Sequence, residues 1–189
     1  MNFIKTDIEG LWIIEPKVFG DERGYFMETY KTAEFEEHAG RVRFIQDNES
    51  CSSKGVLRGL HFQAEPYSQA KLVRVIIGSV LDVAVDIRPN SPSYGKHVAV
   101  ELSGENKRQL FIPRGFAHGF YVLSDTAVFA YKVDNQYVPS AEKCIRYDDP
   151  TLNINWRIKS GDKVIVSPKD QNGMTIKDYI SQQITISSQ

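Results

Sequence analysis

Two of the four histidines stand in apolar stretches that also carry glycine. His61 lies in Gly55-Val-Leu-Arg-Gly-Leu-His61-Phe-Gln63 and His118 in Phe111-Ile-Pro-Arg-Gly-Phe-Ala-His118-Gly-Phe120. An imidazole titrates nearer neutral pH than any other side chain, so either residue could move a proton; either could equally be a hydrogen-bonded core residue. His38 follows Glu36 and Glu37, and His97 follows Lys96, so both read as solvated. By the two-residue period of a strand, Lys71, Val73 and Val75 share one face, as do Asp82, Ala84 and Asp86 on the next run. Two readings are open for those charges: a solvent face, or a barrel interior where they pair or line a ligand cavity. Cys51 and Cys144 are far apart and form no Cys-x-x-Cys, which argues against a zinc knuckle, a redox motif or a disulfide framework.

The elements that must position these groups are mostly strands. Short runs rich in Val, Ile, Phe and Tyr recur at Leu11–Ile14, Gly24–Tyr30, Val42–Gln46, Val56–Phe62, Lys71–Ile77, Val80–Asp86, His97–Leu102, Lys107–Ile112, Phe120–Leu123 and Ala127–Val133. Turn signals such as Asn90-Ser-Pro-Ser-Tyr-Gly95 and Pro113-Arg-Gly115 separate them, a spacing that predicts an all-β sandwich or barrel. Gly78-Ser79 between two runs reads as a hairpin turn. Two helices are expected: Ala33–Ala39, opened by Thr32 as N-cap and stopped by Gly40, and one after Thr175, whose Thr-x-x-Asp178 spacing is a capping box. The polar residues 181–189 are expected to fray.

The chain has 189 residues, which suits a single domain over 1–189. With 23 Lys+Arg against 24 Asp+Glu there is no cationic field for nucleic acid or a membrane surface. The N-terminus places Lys5, Asp7 and Glu9 where a signal peptide would be apolar, and no apolar run reaches the roughly 18 residues of a membrane span, so a cytoplasmic protein is expected.

Pro113-x-Gly115-x-x-His118 resembles half of the cupin-barrel signature, but the earlier segment offers only His61 where metal-binding cupins usually carry His-x-His. A transition metal wants three or four converging ligands, so a metal-free cupin is the expectation. Several segments together then carry a more specific resemblance: VFGDERGYF (18–26), FIQDN (44–48), GVLRGLHFQ (55–63), KLVRV (71–75), DVAVDIR (82–88), FIPRGFAHGF (111–120), Tyr131-Lys132 and SPKD (167–170). In order, over about residues 3 to 172, they resemble the dTDP-4-dehydrorhamnose 3,5-epimerase family.

That resemblance implies an all-β cupin-type jelly-roll barrel of antiparallel strands with a few short peripheral helices, working as a homodimer without cofactor or metal. It implies inversion of the two carbons flanking the ketone of a dTDP-4-dehydro-6-deoxy sugar. Such a reaction needs a base on one face, an acid on the other and a group to hold the enolate. The resemblance makes His61 the base, Asp170 the carboxylate that orients it, Tyr131 the acid and Lys71 the cation at the ketone oxygen, with Asp82 near that lysine. It assigns Arg23 and Arg58 to the diphosphate, and Phe26, Glu28, Gln46 and Asn48 to the surroundings of the nucleotide. Tyr137 is matched to stacking on thymine, and His118, Lys169 and Glu142 to further substrate contacts. Other readings are a relative that inverts one carbon only, a noncatalytic sugar-nucleotide-binding cupin, and a metal-dependent dioxygenase. Arg58 and His61 are three residues apart, so a regular strand would turn them to opposite faces; either Gly59 marks a bulge or one assignment fails.

Overall fold

The β-branched and aromatic runs do fold as strands, and their pairing forms two facing sheets. The computed structural model describes residues 1–187. One sheet runs in the order β1 (Asn2–Lys5), β2 (Trp12–Glu15), β10 (Gln109–Ile112), β7 (Lys71–Ile77), β12 (Thr126–Val133) and β5 (Gln46–Ser53). The other runs β13 (Glu142–Cys144), β6 (Val56–Gln63), β11 (Phe116–Val122), β8 (Ser79–Asp86) and β9 (His97–Ser103), with β14 (Ile165–Val166) added in parallel to β6. The remaining strands, β3 (Val18–Asp21) and β4 (Gly24–Met27), pair only with each other among the described residues.

Alternation decides what each sheet buries. Val73 and Val75 of β7, Val80 and Ala84 of β8, Leu110 of β10, Phe120 of β11 and Phe129 of β12 meet between the sheets, each contributing roughly 1.5–3 kcal/mol for a side chain of Val, Leu or Phe size. The outer face of the first sheet is covered by α1 (Thr32–Ala39), whose Phe35 packs on Leu72 and edge-on to Phe111 at 4.8 Å. The outer face of the second is covered by the C-terminal segment, through Ile145, Leu152, Trp156 and Ile176. Covered on both sides, β8 is buried from Val80 to Asp86.

Several expectations are corrected. Gly78-Ser79 does not make a hairpin: β7 pairs with β10 and β12, while β8 pairs with β9 and β11. The chain there crosses from one sheet to the other, and a Cβ on Gly78 would meet the Thr126 carbonyl oxygen at 2.0 Å, so the corner admits only glycine. The fifth strand begins at Gln46, where the Val42–Gln46 run ends; its polar sequence pairs with β12 along the sheet edge, while Val42 and Phe44 pack against α1's cluster. Helix α1 is capped from Lys31, with Thr32 as its first residue, and no side chain closes it. Gly40 does stop it, at φ 77°, donating its N–H to the Glu36 carbonyl. The capping box at Thr175 forms in both directions, and α3 (Ile176–Ser187) carries the supposed tail from 181 onward as helix; 188 and 189 lie outside the described residues. The charges of the β7 and β8 faces are interior: Asp82 and Asp86 are fully buried and Lys71 is half-buried.

Candidate active site

His61 and Asp170 are separated by 109 residues and are joined by a 2.6 Å contact between Nε2 and Oδ1. Three local features bring this about. β14 runs beside β6, pairing Ile165 with Val56 and Val166 with Leu57, and so delivers Ser167 to the β6 rim. There Ser167 is the N-cap of a short helix, α2 (Pro168–Gln171), accepting the Asp170 N–H at 3.1 Å, with Pro168 in the first turn. Asp170 therefore points inward, 2% exposed, and its Oδ2 accepts the Gly59 N–H at 3.2 Å. Burial alone would raise its pKa, but the hydrogen bonds from His61 and Gly59 prevail and hold the carboxyl below its usual range. A carboxylate can only accept, so the shared proton sits on Nε2 and leaves the His61 Nδ1 lone pair free.

Gly59 resolves the question of faces. His61 lies opposite His118 and Arg58 opposite Phe120, so three steps along β6 match two along β11. This extra residue is a bulge, and it turns Arg58 and His61 to one face. Gly59 has φ 132°, and a Cβ there would meet Gly119 Cα at 2.5 Å, so only glycine fits.

His118, Asp82, Lys71 and Tyr131 share the same inter-sheet face. The buried His118 donates from Nε2 to Asp82 at 2.9 Å. Burial pushes the His118 pKa down against the pull of Asp82, and the Lys71 and His61 charges add to the depression. Burial also lowers the Lys71 ammonium to about 8, opposed by Asp82 and Glu142. The Tyr131 phenol is raised by burial, with Arg58 pulling the other way. Asn48 faces Tyr131 across β5 and β12, and accepts from Gln46 at 2.7 Å. Glu142 of β13 links the rim: it accepts from Tyr137 at 2.5 Å and is ion-paired with Lys169. Arg58 donates to Ser52 at 3.1 Å.

Eleven of the fourteen expected residues therefore fall on this inter-sheet face or its rim, the charges of Glu142, Asp82 and Arg58 acting on its members. Arg23, Phe26 and Glu28 do not join them. They lie on or just beyond the β3–β4 hairpin, where Arg23 pairs with Asp21, Phe26 is 65% exposed and Glu28 pairs with Lys31. One neighbour was missed by sequence reasoning: Cys144, opposite His61 across β13 and β6, with Sγ 3.9 Å from Asp170 Oδ1. Its signal was the alternation Glu142-Lys-Cys144, which puts the thiol on the face of Glu142. His61, Cys144 and Asp170 form a group of three possible metal ligands whose atoms lie within 4.8 Å of one another among the described residues.

Two antiparallel sheets closed around titratable side chains define a cupin-type jelly roll whose interior is equipped for proton transfer. Residues 5–178 match the family model described as dTDP-4-dehydrorhamnose 3,5-epimerase, and the chain belongs to that family. A dTDP-4-dehydrorhamnose 3,5-epimerase of Shigella flexneri is 57% identical over 179 residues, 94% of this chain and 97% of the other. The crystal structure of a Legionella pneumophila dTDP-6-deoxy-D-glucose-3,5-epimerase in complex with dTDP-4-keto-L-rhamnose superposes with a TM-score of 0.89 at 54% identity, covering 93% of each chain. A 3'-monoepimerase of Streptomyces bikiniensis in complex with dTDP-quinovose gives 0.86 at 29% identity, over 96% of this chain and 90% of that one. No described helix is long and apolar enough to cross a membrane.

Proposed function

We propose that this chain inverts both carbons flanking the ketone of dTDP-4-dehydro-6-deoxy-D-glucose, giving dTDP-4-dehydro-L-rhamnose. The 2.6 Å His61–Asp170 pair carries the reading, because it leaves a basic Nδ1 on the inter-sheet face that also holds Lys71 and Tyr131. His61 Nδ1 removes the proton from the carbon beside the ketone, and the electron pair moves onto the ketone oxygen as an enolate. Asp170 stabilises the imidazolium that results. The Lys71 ammonium stabilises the enolate oxygen. Tyr131, kept protonated by its raised pKa, returns a proton from the other face; solvent then reprotonates the phenolate and takes the proton from His61. Each cycle consumes only protons that it gives back. Arg58 and Lys169 supply cations to the diphosphate, and Tyr137 offers its exposed ring to the base.

The β3–β4 hairpin supports a homodimer. Phe19, Tyr25 and Phe26 are each more than half exposed on a two-stranded unit that is marginal alone. Seating it on a second copy of the chain would bury those rings and bring Arg23, Phe26 and Glu28 to that copy's nucleotide. Sedimentation should give twice the chain mass, and Phe19→Ser with Phe26→Ser should give monomers with raised KM.

Turnover of dTDP-4-dehydro-6-deoxyglucose in heavy water tests the main reading, with deuterium followed at each carbon by proton NMR. Exchange at both carbons is expected. Exchange at one carbon would make the chain a monoepimerase, and binding without exchange would make it a noncatalytic binder.

A further inference from the structure

Cys144 stands beside the proposed base, and the proposed proton chemistry has no use for it. It is 8% exposed, faces His61 across the β6–β13 pair, and directs its sulfur at the oxygen of Asp170 that also holds His61. A thiol, an imidazole and a carboxylate are the three side-chain types that bind zinc, here converging within 4.8 Å. We propose that His61 Nε2, Asp170 Oδ1 and Cys144 Sγ form an inhibitory site for a thiophilic divalent cation such as Zn²⁺, with water as the fourth ligand.

The ligands reach zinc geometry by side-chain movements of about an ångström or less each. Zinc bonds of about 2.0–2.3 Å in a tetrahedron separate nitrogen and oxygen ligands by about 3.3 Å and sulfur and oxygen by about 3.5 Å. The present separations are 2.6 Å between His61 and Asp170 and 3.9 Å between Cys144 and Asp170. Opening the first by about 0.7 Å, closing the second by about 0.4 Å and drawing the His61 nitrogen and the Cys144 sulfur from within 4.8 Å to about 3.5 Å makes the site, on those same bond lengths. The His61 side chain is 30% exposed, which gives the ion a way in from the barrel mouth, while the other two ligands are buried. Asp170 carries one negative charge, and the Cys144 thiol, pushed up to about 12 by burial and by Asp170, supplies a second as the metal displaces its proton. As the sulfur–metal bond forms, the thiol proton passes to solvent.

The consequence for the base follows from the imidazole itself. A neutral ring has one N–H and one lone pair. With Nε2 bonded to metal, the ring proton must sit on Nδ1, the nitrogen from which the proposed reaction draws its basicity. Metal therefore abolishes proton abstraction without occupying the space of the sugar. Inhibition should lower kcat and leave KM unchanged, which separates it from an ion held by Glu142 or by the substrate diphosphate. Binding rests on the three ligands alone; the loss of turnover rests in addition on His61 being the base.

The two are read separately. Co²⁺ added to the metal-free, full-length protein should give thiolate-to-cobalt charge-transfer absorption in the near ultraviolet, saturating at one ion per chain and absent from Cys144→Ala. Zn²⁺ should lower kcat at constant KM, reversibly with EDTA. In Cys144→Ala the half-inhibiting concentration, measured against that variant's own metal-free rate, should rise by at least about ten-fold, as the loss of one ligand requires. Cobalt bound without the thiolate band, or equal zinc sensitivity in Cys144→Ala, overturns the site. A thiolate band with undiminished turnover leaves the metal site standing and removes His61 from its role as base.

Discussion

Replacing Asp170 by Asn keeps the size of the side chain and changes one acceptor oxygen into a donor. In the parent, Oδ1 accepts from His61 Nε2 at 2.6 Å and Oδ2 from the Gly59 N–H at 3.2 Å. An amide has one oxygen for these two donors. If the oxygen serves His61, the NH2 faces the buried Gly59 N–H, which costs about 1–3 kcal/mol for an unsatisfied group. The favoured arrangement turns the NH2 toward His61, so Nε2 must accept and the ring proton moves to Nδ1. The catalytic tautomer is then disfavoured by that same amount, and the imidazolium loses a charge-assisted hydrogen bond of about 1.5–3 kcal/mol. Together these come to about 2.5–6 kcal/mol, or roughly 10²- to 10⁴-fold in the rate of proton abstraction. Deuterium incorporation at the two carbons flanking the ketone measures that rate directly, and circular dichroism verifies that Asp170→Asn folds. A folded variant exchanging within about three-fold of the parent, far outside that range, would refute the orienting role of Asp170.

Tyr131→Phe should retain deuterium exchange by His61 while losing inversion by about 10²- to 10⁴-fold, the usual range for a general acid; comparison of exchange with product formation checks this. The Lys71 ammonium, lowered to about 8 by burial, is charged below that pH and neutral above it, so kcat/KM should fall on the alkaline side with an apparent pKa near 8. Lys71→Met should remove that limb from the pH profile and lower the rate by roughly 10²- to 10³-fold. Asp86 is buried, and hydrogen bonds from Arg88, Ser91 and Ser93 outweigh burial to bring its pKa to about 2. A depressed carboxyl stabilises the fold above its unfolded pKa and loses that contribution as the pH falls through the folded value, here from about 4 to about 2, and Asp86→Asn should remove roughly 2 kcal/mol of acid-dependent stability in urea unfolding at different pH values. Gly59→Ala should destabilise by at least about 3 kcal/mol, because its Cβ meets backbone at 2.5 Å and its φ is 132°; thermal unfolding reads this.

What could be read in advance depended on how local the cause was. β7 is legible because Lys71-Leu-Val-Arg-Val-Ile-Ile77 alternates and is β-branched, and its predicted bounds are those observed. β5 is not, because Gln46-Asp-Asn-Glu-Ser-Cys-Ser-Ser53 has no apolar period; it is a strand by virtue of β12 beside it. Gly78 was legible as a turn but not as a corner between sheets, since a positive-φ glycine serves either geometry. Helix α2 escaped notice because four residues carry no period, although Ser167-Pro-Lys-Asp170 is itself a helix-start pattern. Individual titratable residues could be singled out, yet no spacing rule joins His61 to Asp170 across 109 positions; their pairing came from the resemblance alone. Arg58 and His61 conflict on a regular ladder, which is all that the strand period assumes, and the bulge breaks that ladder.

The distance along the chain between His61 and Asp170 also orders events during synthesis. Every buried member of the inter-sheet core lies between Ile8 and Phe129, whereas the carboxylate emerges some forty residues later. A nascent chain can thus bury its barrel interior while His61 still lacks its anchor and Gly59 its acceptor. In the proposed mechanism proton abstraction waits on the docking of the 165–171 segment on β6, so a chain cut before Asp170 should exchange the keto sugar's protons far more slowly than the full one. The 165–171 segment thus lays the final stone of the proposed dyad on a barrel whose interior is built from residues that precede it.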